Sequence, residues 1–382
     1  MAAFPFIAIL GRQPELGLVE LESLLGDGAV APFGAAAFVE RAVPIHQLGG
    51  VVKLGRVVYD GAVTDFGELP VDVAALPMRE GKTPFAVSLY GAGAGRRQVE
   101  AAGLALKKRL RERGSVRLVL PISGASVSAA GLKHNRVLED GFELLVVVAG
   151  KRMAVAQTLG VQDVDWYSQR DYGRPERDAR VGMLPPKLAQ VLVNTTHAPV
   201  VADPFCGSGV VLAEALIAGR SACGSDLEAE MVAAARTNLQ WLEQQVRLRA
   251  PQPPPLPDWS VTAADARAVM LPPACAVVSE GYLGTPFTHS PVPAGLARLQ
   301  SELLELYTSA LAHWATQLAP GAEVSLCVPT WRVHGQWRPL GLVDELAGLG
   351  YTQKVFKHVT TPLLYAREDQ VVGRQLLFLR KG

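Results

Sequence analysis

Val200-Val201-Ala202-Asp203-Pro204-Phe205-Cys206-Gly207-Ser208-Gly209 runs directly into an apolar stretch of helical spacing, Val210 to Ala218. A buried parallel strand, a glycine turn and a helix N-terminus in that order let a ligand touch bare backbone, and Gly207 and Gly209 permit the close approach. The dinucleotide pattern G-x-G-x-x-G does not stand here, because Asp203 leads the turn and no third glycine follows Gly209. A carboxylate at the strand end repels a pyrophosphate but accepts from an ammonium, directly or through water. Cys206 lies inside the turn without a neighbouring base to activate it, which argues for packing rather than nucleophilic chemistry.

The next two strand ends are also acidic. Ser221 to Ser225 lead to Asp226, nineteen residues after Gly207, where a carboxylate can take both hydroxyls of a ribose. Val261 to Ala266 then offers Asp265 after a third short strand. Singly, such residues are more often solvated or helix caps; three in register behind one glycine turn indicate a nucleoside site. Asp203-Pro204-Phe205-Cys206-Gly207-Ser208-Gly209 resembles the first motif of S-adenosylmethionine (SAM) dependent methyltransferases that modify exocyclic amines. That resemblance implies SAM as cofactor, held by Asp203, Phe205, Gly207 and Gly209, by Asp226 with Leu227, and by Asp265, which would accept from the adenine amino group, with Ala266. Gly182-Met183-Leu184-Pro185-Pro186-Lys187-Leu188-Ala189 is similar to a segment that precedes this motif in THUMP-bearing guanosine methyltransferases. The likeness implies that this segment, Pro185 included, lines the methionine end of SAM.

With 382 residues, 49% hydrophobic and 19% charged, the chain has room for two or three cored domains, and its net charge of +1 argues against a strongly basic nucleic-acid coat. The charge is uneven: residues 1–81 carry five Lys/Arg against ten Asp/Glu, a net of −5, and residues 82–152 carry thirteen against five, a net of +8. Four cysteines without a C-x-x-C pair indicate neither a metal site nor disulfides and fit a cytoplasmic setting. The apolar N-terminus lacks the basic flank and cleavage site of a leader, and no uncharged run approaches the roughly 18 residues of a membrane helix.

Hydrophobic spacing predicts a strand at Phe4–Leu10, a helix at Pro14–Leu25 and an apolar segment at Val51–Tyr59. After a glycine turn at Gly91–Gly95 come a helix at Arg96–Arg113 and strands at Val116–Ile122 and Phe142–Ala149. The turn is not followed by G-K-[ST], which weighs against a phosphate loop. Residues 1–165 resemble the ferredoxin-like plus THUMP region of RNA-modifying enzymes, through Ile9-Leu10-Gly11-Arg12-Gln13-Pro14-Glu15-Leu16 and this layout. The resemblance implies tRNA or another structured RNA as partner, gripped by Lys107, Lys108, Arg109, Arg111, Lys133 and Arg136; a solvated helix face is the bland alternative. Residues 166–181 read as a linker. Residues 182–382 read as a Rossmann-like methyltransferase domain, an α/β fold with a mostly parallel seven-stranded sheet and an antiparallel edge. Within it we expect helices at Leu296–Leu318 and Leu340–Gly348, strands at Ala274–Val278, Glu323–Val328, Tyr351–His358 and Arg374–Leu379, and a surface loop at Pro251–Pro257.

After the fourth strand, amino methyltransferases carry [DNS]-P-P-[YF]; this chain has Ser279-Glu280-Gly281-Tyr282. Guanine N2 is a poor nucleophile because its lone pair is delocalised, so catalysis there is mainly positioning and polar preorganisation. By that resemblance Ser279 orients the target amine, Tyr282 stacks on the base, and Glu280, in place of a proline, accepts from the amine or takes its proton. The implied activity is methyl transfer to guanosine N2 in tRNA. Alternatives are a DNA adenine-N6 or cytosine-N4 methylase, or a non-catalytic RNA-binding protein that retains SAM. A small activator protein or a homodimer stays open.

Overall fold

The computed structural model describes residues 4–91, 93–177, 183–249, 255–284, 293–368 and 370–382. Asp178 of the connector, Gly182 before the glycine turn, residues 251–254 of the proline-rich stretch, and Thr285 with Pro286 lie outside the described residues. The chain divides into two units, Met1–Trp166 and Tyr167–Gly382.

The first unit holds β1 (Phe6–Leu10), α1 (Pro14–Leu25), β2 (Val30–Phe33), β3 (Ala36–Val39), β4 (Val51–Ala62), β5 (Thr83–Gly91), α2 (Arg96–Leu110), β6 (Val116–Val119), α3 (Ala129–His134), α4 (Val137–Asp140), β7 (Phe142–Ala149) and β8 (Arg152–Val161). Its strands form one sheet in the order β2-β3-β1-β4-β8-β7-β5-β6, with β5 parallel to β6 and β7 and the other pairs antiparallel. Pairing of β4 with β8, from Lys53↔Val161 to Ala62↔Arg152, joins what the sequence suggests as two modules into a continuous sheet. The expected strand to Ile122 stops at Val119: Pro121 has no amide to donate and Ile122 is 91% exposed. On α2, Val99, Ala102, Leu106 and Leu110 repeat every three or four residues and are buried, while the intervening positions carry the cations.

The helix α5 (Val164–Tyr172) crosses the unit boundary, and the second unit continues with α6 (Pro186–Asn194), β9 (Val200–Asp203), α7 (Val210–Ile217), β10 (Ser221–Asp226), α8 (Ala229–Arg249), β11 (Trp259–Ala263), β12 (Cys275–Glu280), α9 (Pro293–Ala315), β13 (Glu323–Val333), β14 (Gln336–Pro339), β15 (Tyr351–Gln353), β16 (Leu363–Tyr365) and β17 (Val372–Lys381). The sheet follows a seven-strand path, β11-β10-β9-β12-β13-β17-β15, with β14 added beside β13 and β16 beside β17. The first five strands are mutually parallel, and the central three, β9, β12 and β13, are buried along most of their length. The sheet ends in antiparallel pairs: β17 lies between β13 and the edge strand β15, antiparallel to both.

Two expected elements shrink. The helix at 340–348 is reduced to a 3-10 turn at Leu342–Glu345 following Gly341, and the strand at 351–358 to Tyr351–Gln353. On α9, Leu296, Leu303, Tyr307, Ala310, Leu311 and Trp314 are buried against β12, β13 and β17, so the long helix rests on tertiary packing. No helix among the described residues is long and apolar enough to cross a membrane.

Candidate active site

Strand order reverses between β9 and β12: one pairs outward to β10 and β11, the other to β13. In an open parallel sheet this switch point leaves a crevice at the carboxyl ends of the two strands. Asp203 ends β9, and Ser279 and Glu280 end β12. Asp203 is 2% exposed, and its Oδ1 accepts from the Phe205 amide at 3.2 Å and from the Ser279 hydroxyl at 2.6 Å. Burial pushes its carboxyl up to about 8, against those two hydrogen bonds. A cation arriving beside it would favour the ionised form. A cavity of about 240 Å³ opens here, lined by Asp203, Gly207, Ser208, Leu184, Glu176 and Glu280 among others.

The turn after β9 is built as the glycines suggest. Gly207 and Gly209 have φ of 49° and 85°, and a side chain on Gly209 would press on Ala235 of α8. The Gly207 amide donates to Asp226 Oδ2 at 2.9 Å, and the Glu228 amide donates to Asp226 Oδ1 at 3.0 Å. Each oxygen of Asp226 thus retains accepting capacity for a hydroxyl. Beside it Leu227 is 69% exposed, an apolar surface next to a polar anchor. Cys206 is buried, its amide donates to the Ser225 carbonyl at 2.9 Å, and burial with Asp203 and Asp226 nearby pushes its thiol up; it packs the turn. Phe205 has its ring 6.0 Å from Tyr307 and 6.2 Å from Trp314. Pro185 caps α6, and the Leu188 amide donates to its carbonyl at 2.9 Å. Ala266 is buried, and its carbonyl accepts from Trp314 Nε1 at 2.8 Å.

Two carboxylates are more occupied than their sequence positions suggest. Asp265 accepts from the Arg267 amide at 2.8 Å and from the Arg267 guanidinium through both oxygens, which holds its carboxyl below the usual range. An amino group approaching Asp265 must share or displace those bonds. Glu280, read as the group that accepts from the amine or takes its proton, is ion-paired with Arg374 Nε from β17 and accepts from the Leu184 amide. Burial pushes its carboxyl up, and Arg374 opposes that. Ser279, read as the residue that orients a target amine, is wholly buried, and its hydroxyl donates a hydrogen bond to Asp203. Tyr282 is 53% exposed, and its carbonyl accepts from the Tyr307 hydroxyl at 2.8 Å. Gly281 packs so closely on Tyr307 that any Cβ there would clash with the phenol.

Sequence reasoning missed Arg374, Tyr307 and Asn238. From α8, Asn238 Nδ2 donates to the carbonyls of Glu176 at 3.0 Å and Ser208 at 2.9 Å, and its Oδ1 accepts from the Glu176 amide at 2.9 Å. The connector is thereby fastened to the glycine turn. Nothing local marks these three residues, since each acts on a segment distant in sequence.

In the first unit the six expected RNA-gripping cations differ in kind. Arg109 donates to the carbonyls of Leu69 and Val71 at 2.8 and 2.7 Å, so it braces a loop. Lys133 pairs with Asp165 at 2.5 Å and Arg136 with Asp140 at 2.7 Å, both on the surface. Lys108 and Arg111 are exposed and Lys107 is half-buried. Among the described residues, no group of three or more His, Cys, Asp or Glu could hold a metal ion.

No family model matches the chain. It is 28% identical over 188 residues to a tRNA (guanine(10)-N2)-dimethyltransferase of Methanothermobacter thermautotrophicus, covering 48% of this chain and 49% of that one. It is 41% identical over 121 residues to the protein of the same name from Pyrococcus abyssi, covering 31% and 36%. The matches thus span half or less of these curated relatives. Among solved structures, TrmN from Thermus thermophilus aligns over 99% of both chains with a TM-score of 0.56 and 19% identity. SMU.472, a putative methyltransferase complexed with SAH, aligns over 99% of this chain and 98% of its own with a TM-score of 0.50 and 11% identity. The chain therefore shares its mixed α/β fold, with the Rossmann-like, mostly parallel sheet, with structures of methyltransferases.

Proposed function

We propose that the chain is a SAM-dependent methyltransferase that modifies an exocyclic amine of a nucleobase in RNA, with guanosine N2 in tRNA as the target. The observation that carries this reading is Asp203 at the switch point, tied to Ser279 and flanked by the glycine turn, Asp226 and Glu280. The names of the curated relatives point to the same substrate.

The residues suit the cofactor. Asp226 keeps lone pairs for two ribose hydroxyls, Leu227 offers an apolar face for a base, and buried Asp203 supplies a carboxylate for an ammonium group. Asp265 reaches an adenine amino group by sharing its exposed contact with Arg267, an exchange of low cost for a surface pair. When bound, SAM supplies an electrophilic methyl group. Ser279 holds Asp203, Arg374 and the Leu184 amide hold Glu280, and Tyr307 holds the Tyr282 carbonyl, so the loop after β12 is fixed without the usual two prolines. The half-exposed ring of Tyr282 is the stacking platform, and Glu280 is the group available to accept from the amine.

In this reading residues 1–165 are a ferredoxin-like plus THUMP region that binds RNA, 166–181 a linker and 182–382 the methyltransferase domain, in a cytoplasmic protein. Lys107, Lys108 and Arg111 meet phosphates directly, and Lys133 and Arg136 exchange carboxylate partners for phosphate. The test is transfer of a radiolabelled methyl group from SAM to unmodified tRNA, with duplex DNA as comparator. Label in tRNA that is lost in Asp203→Ala supports the reading, and label in DNA alone or in neither overturns it.

A further inference from the structure

The strand β13 runs for eleven residues, yet β12 accompanies it only from Val324 to Cys327, where Cys327 stands opposite Glu280. The remaining residues, Val328 to Val333, continue past the carboxyl end of β12 between β14 and β17. At about 3.3 Å per residue, the turn at His334 and Gly335 stands roughly 20 Å along the strand beyond the level of Glu280. This ribbon leaves the sheet at the end that bears Asp203 and Glu280.

It is a braced element. Trp331 and Val333 are buried, the Thr330 hydroxyl donates to the Arg338 carbonyl at 2.9 Å, and the Arg332 amide donates to the Val371 carbonyl at 2.8 Å. The tip has φ of 49° at His334 and 81° at Gly335, the tight two-residue turn that suits strand twist. The ring of Trp337 lies against Gly373 and under the Arg332 guanidinium, 6.0 Å away.

Its outward side chains share one character. Arg332, His334 and Arg338 are exposed, Trp337 is half-buried, and no Asp or Glu occurs from Pro329 to Pro339. Arg338 makes no side-chain hydrogen bond or ion pair among the described residues. Arg332 and Trp337 are cross-strand partners on one face of the ribbon and Arg338, opposite Trp331, stands on the other, so the ribbon carries a guanidinium on each face, a charge that suits the phosphates of a nucleic-acid strand.

We propose that the β13–β14 ribbon is a second RNA-contact surface, on the methyltransferase unit itself, which grips the substrate strand roughly 20 Å from the modified base. This rests on the reading that the substrate is RNA.

The test uses the full chain and unmodified tRNA, with affinity measured across a range of KCl concentrations and kcat, KM and SAM affinity measured beside it. Arg332→Ala/Arg338→Ala should lower the salt slope by about 0.7 to 0.9 per lost phosphate contact and raise KM for tRNA, while kcat and SAM affinity hold. Arg338→Glu leaves Arg332 and its bond to the Glu368 carbonyl in place, so its tRNA affinity should fall without loss of fold. Arg338→Lys should retain most of the slope. Wild-type slope and affinity in both the double variant and Arg338→Glu would overturn the ribbon proposal while leaving the RNA reading intact. A wild-type chain that binds no tRNA would overturn both.

Discussion

Arg374→Met should produce a protein whose stability defect grows with pH. The side chains of the Arg374–Glu280 pair are 4% and 18% exposed, and removing one partner of a buried pair costs about 3–5 kcal/mol. Glu280 keeps the Leu184 amide and partial exposure, which places the loss near the lower end, about 3 kcal/mol at pH 8. The sign follows from burial, which raises the Glu280 carboxyl, and Arg374, which opposes it. Without Arg374 the folded variant holds a proton that the unfolded chain has already released. Its stability is therefore greatest below the ordinary carboxylate range and falls as pH rises toward the displaced pKa. Other charged or titratable groups bearing on Glu280, namely Asp203, Tyr307 and Cys327, are unchanged in the variant. Urea unfolding followed by tryptophan fluorescence suits the test, because five of the six tryptophans lie in Tyr167–Gly382. The defect should be larger at pH 8 than at pH 5, and Glu280→Gln in the Arg374→Met background should recover most of it. An equal defect at both pH values, with no recovery in the double variant, would refute the reasoning.

Asp226→Ala should weaken SAM binding by about 1–3 kcal/mol, as a lost charged acceptor that also anchors Gly207, and calorimetry showing equal affinity would remove Asp226 from the site. Because Asp203 is pushed up to about 8, binding of S-adenosylhomocysteine through its ammonium group should release a proton below that pH. Affinity should then rise about tenfold per unit from pH 6 to 7.5 and level off above 8, and Asp203→Asn should flatten the profile; a flat wild-type profile would count against the contact. In the first unit, Lys107→Ala/Lys108→Ala/Arg111→Ala should lower the salt slope of tRNA binding, whereas Arg109→Ala should lower the unfolding midpoint and leave that slope in place.

The parts of the site visible in the sequence are those built from consecutive residues. Asp203 to Gly209, and Asp226 and Asp265 at the next strand ends, follow from strand-turn-helix grammar, because the fold places those ends side by side. What escaped is what tertiary packing decides. Arg374 meets Glu280 across 94 positions of chain, and Asn238 meets Glu176 across 62. Ser279 and Glu280 end β12 as a pair of neighbours, but their partners, Asp203 and Arg374, come from other strands that local sequence does not place beside them. In the first unit β2 carries little strand signal because it is a four-residue edge strand containing Pro32, and β8 separates from β7 only through the two-residue hairpin turn at Gly150 and Lys151. At Leu342–Glu345 apolar spacing suits a helix, but the flanking Gly341 and Gly348 limit the segment to a 3-10 turn.

The most direct test of the central claim is to incubate the full chain with SAM carrying a deuterated methyl group and unmodified tRNA, digest the RNA and identify the labelled nucleoside by mass spectrometry. The account predicts label on the exocyclic N2 of guanosine, abolished by Asp203→Ala and strongly reduced by Tyr282→Ala. Label on any ring atom, on a ribose or on another base would contradict it, as would unlabelled tRNA in the presence of measured SAM binding.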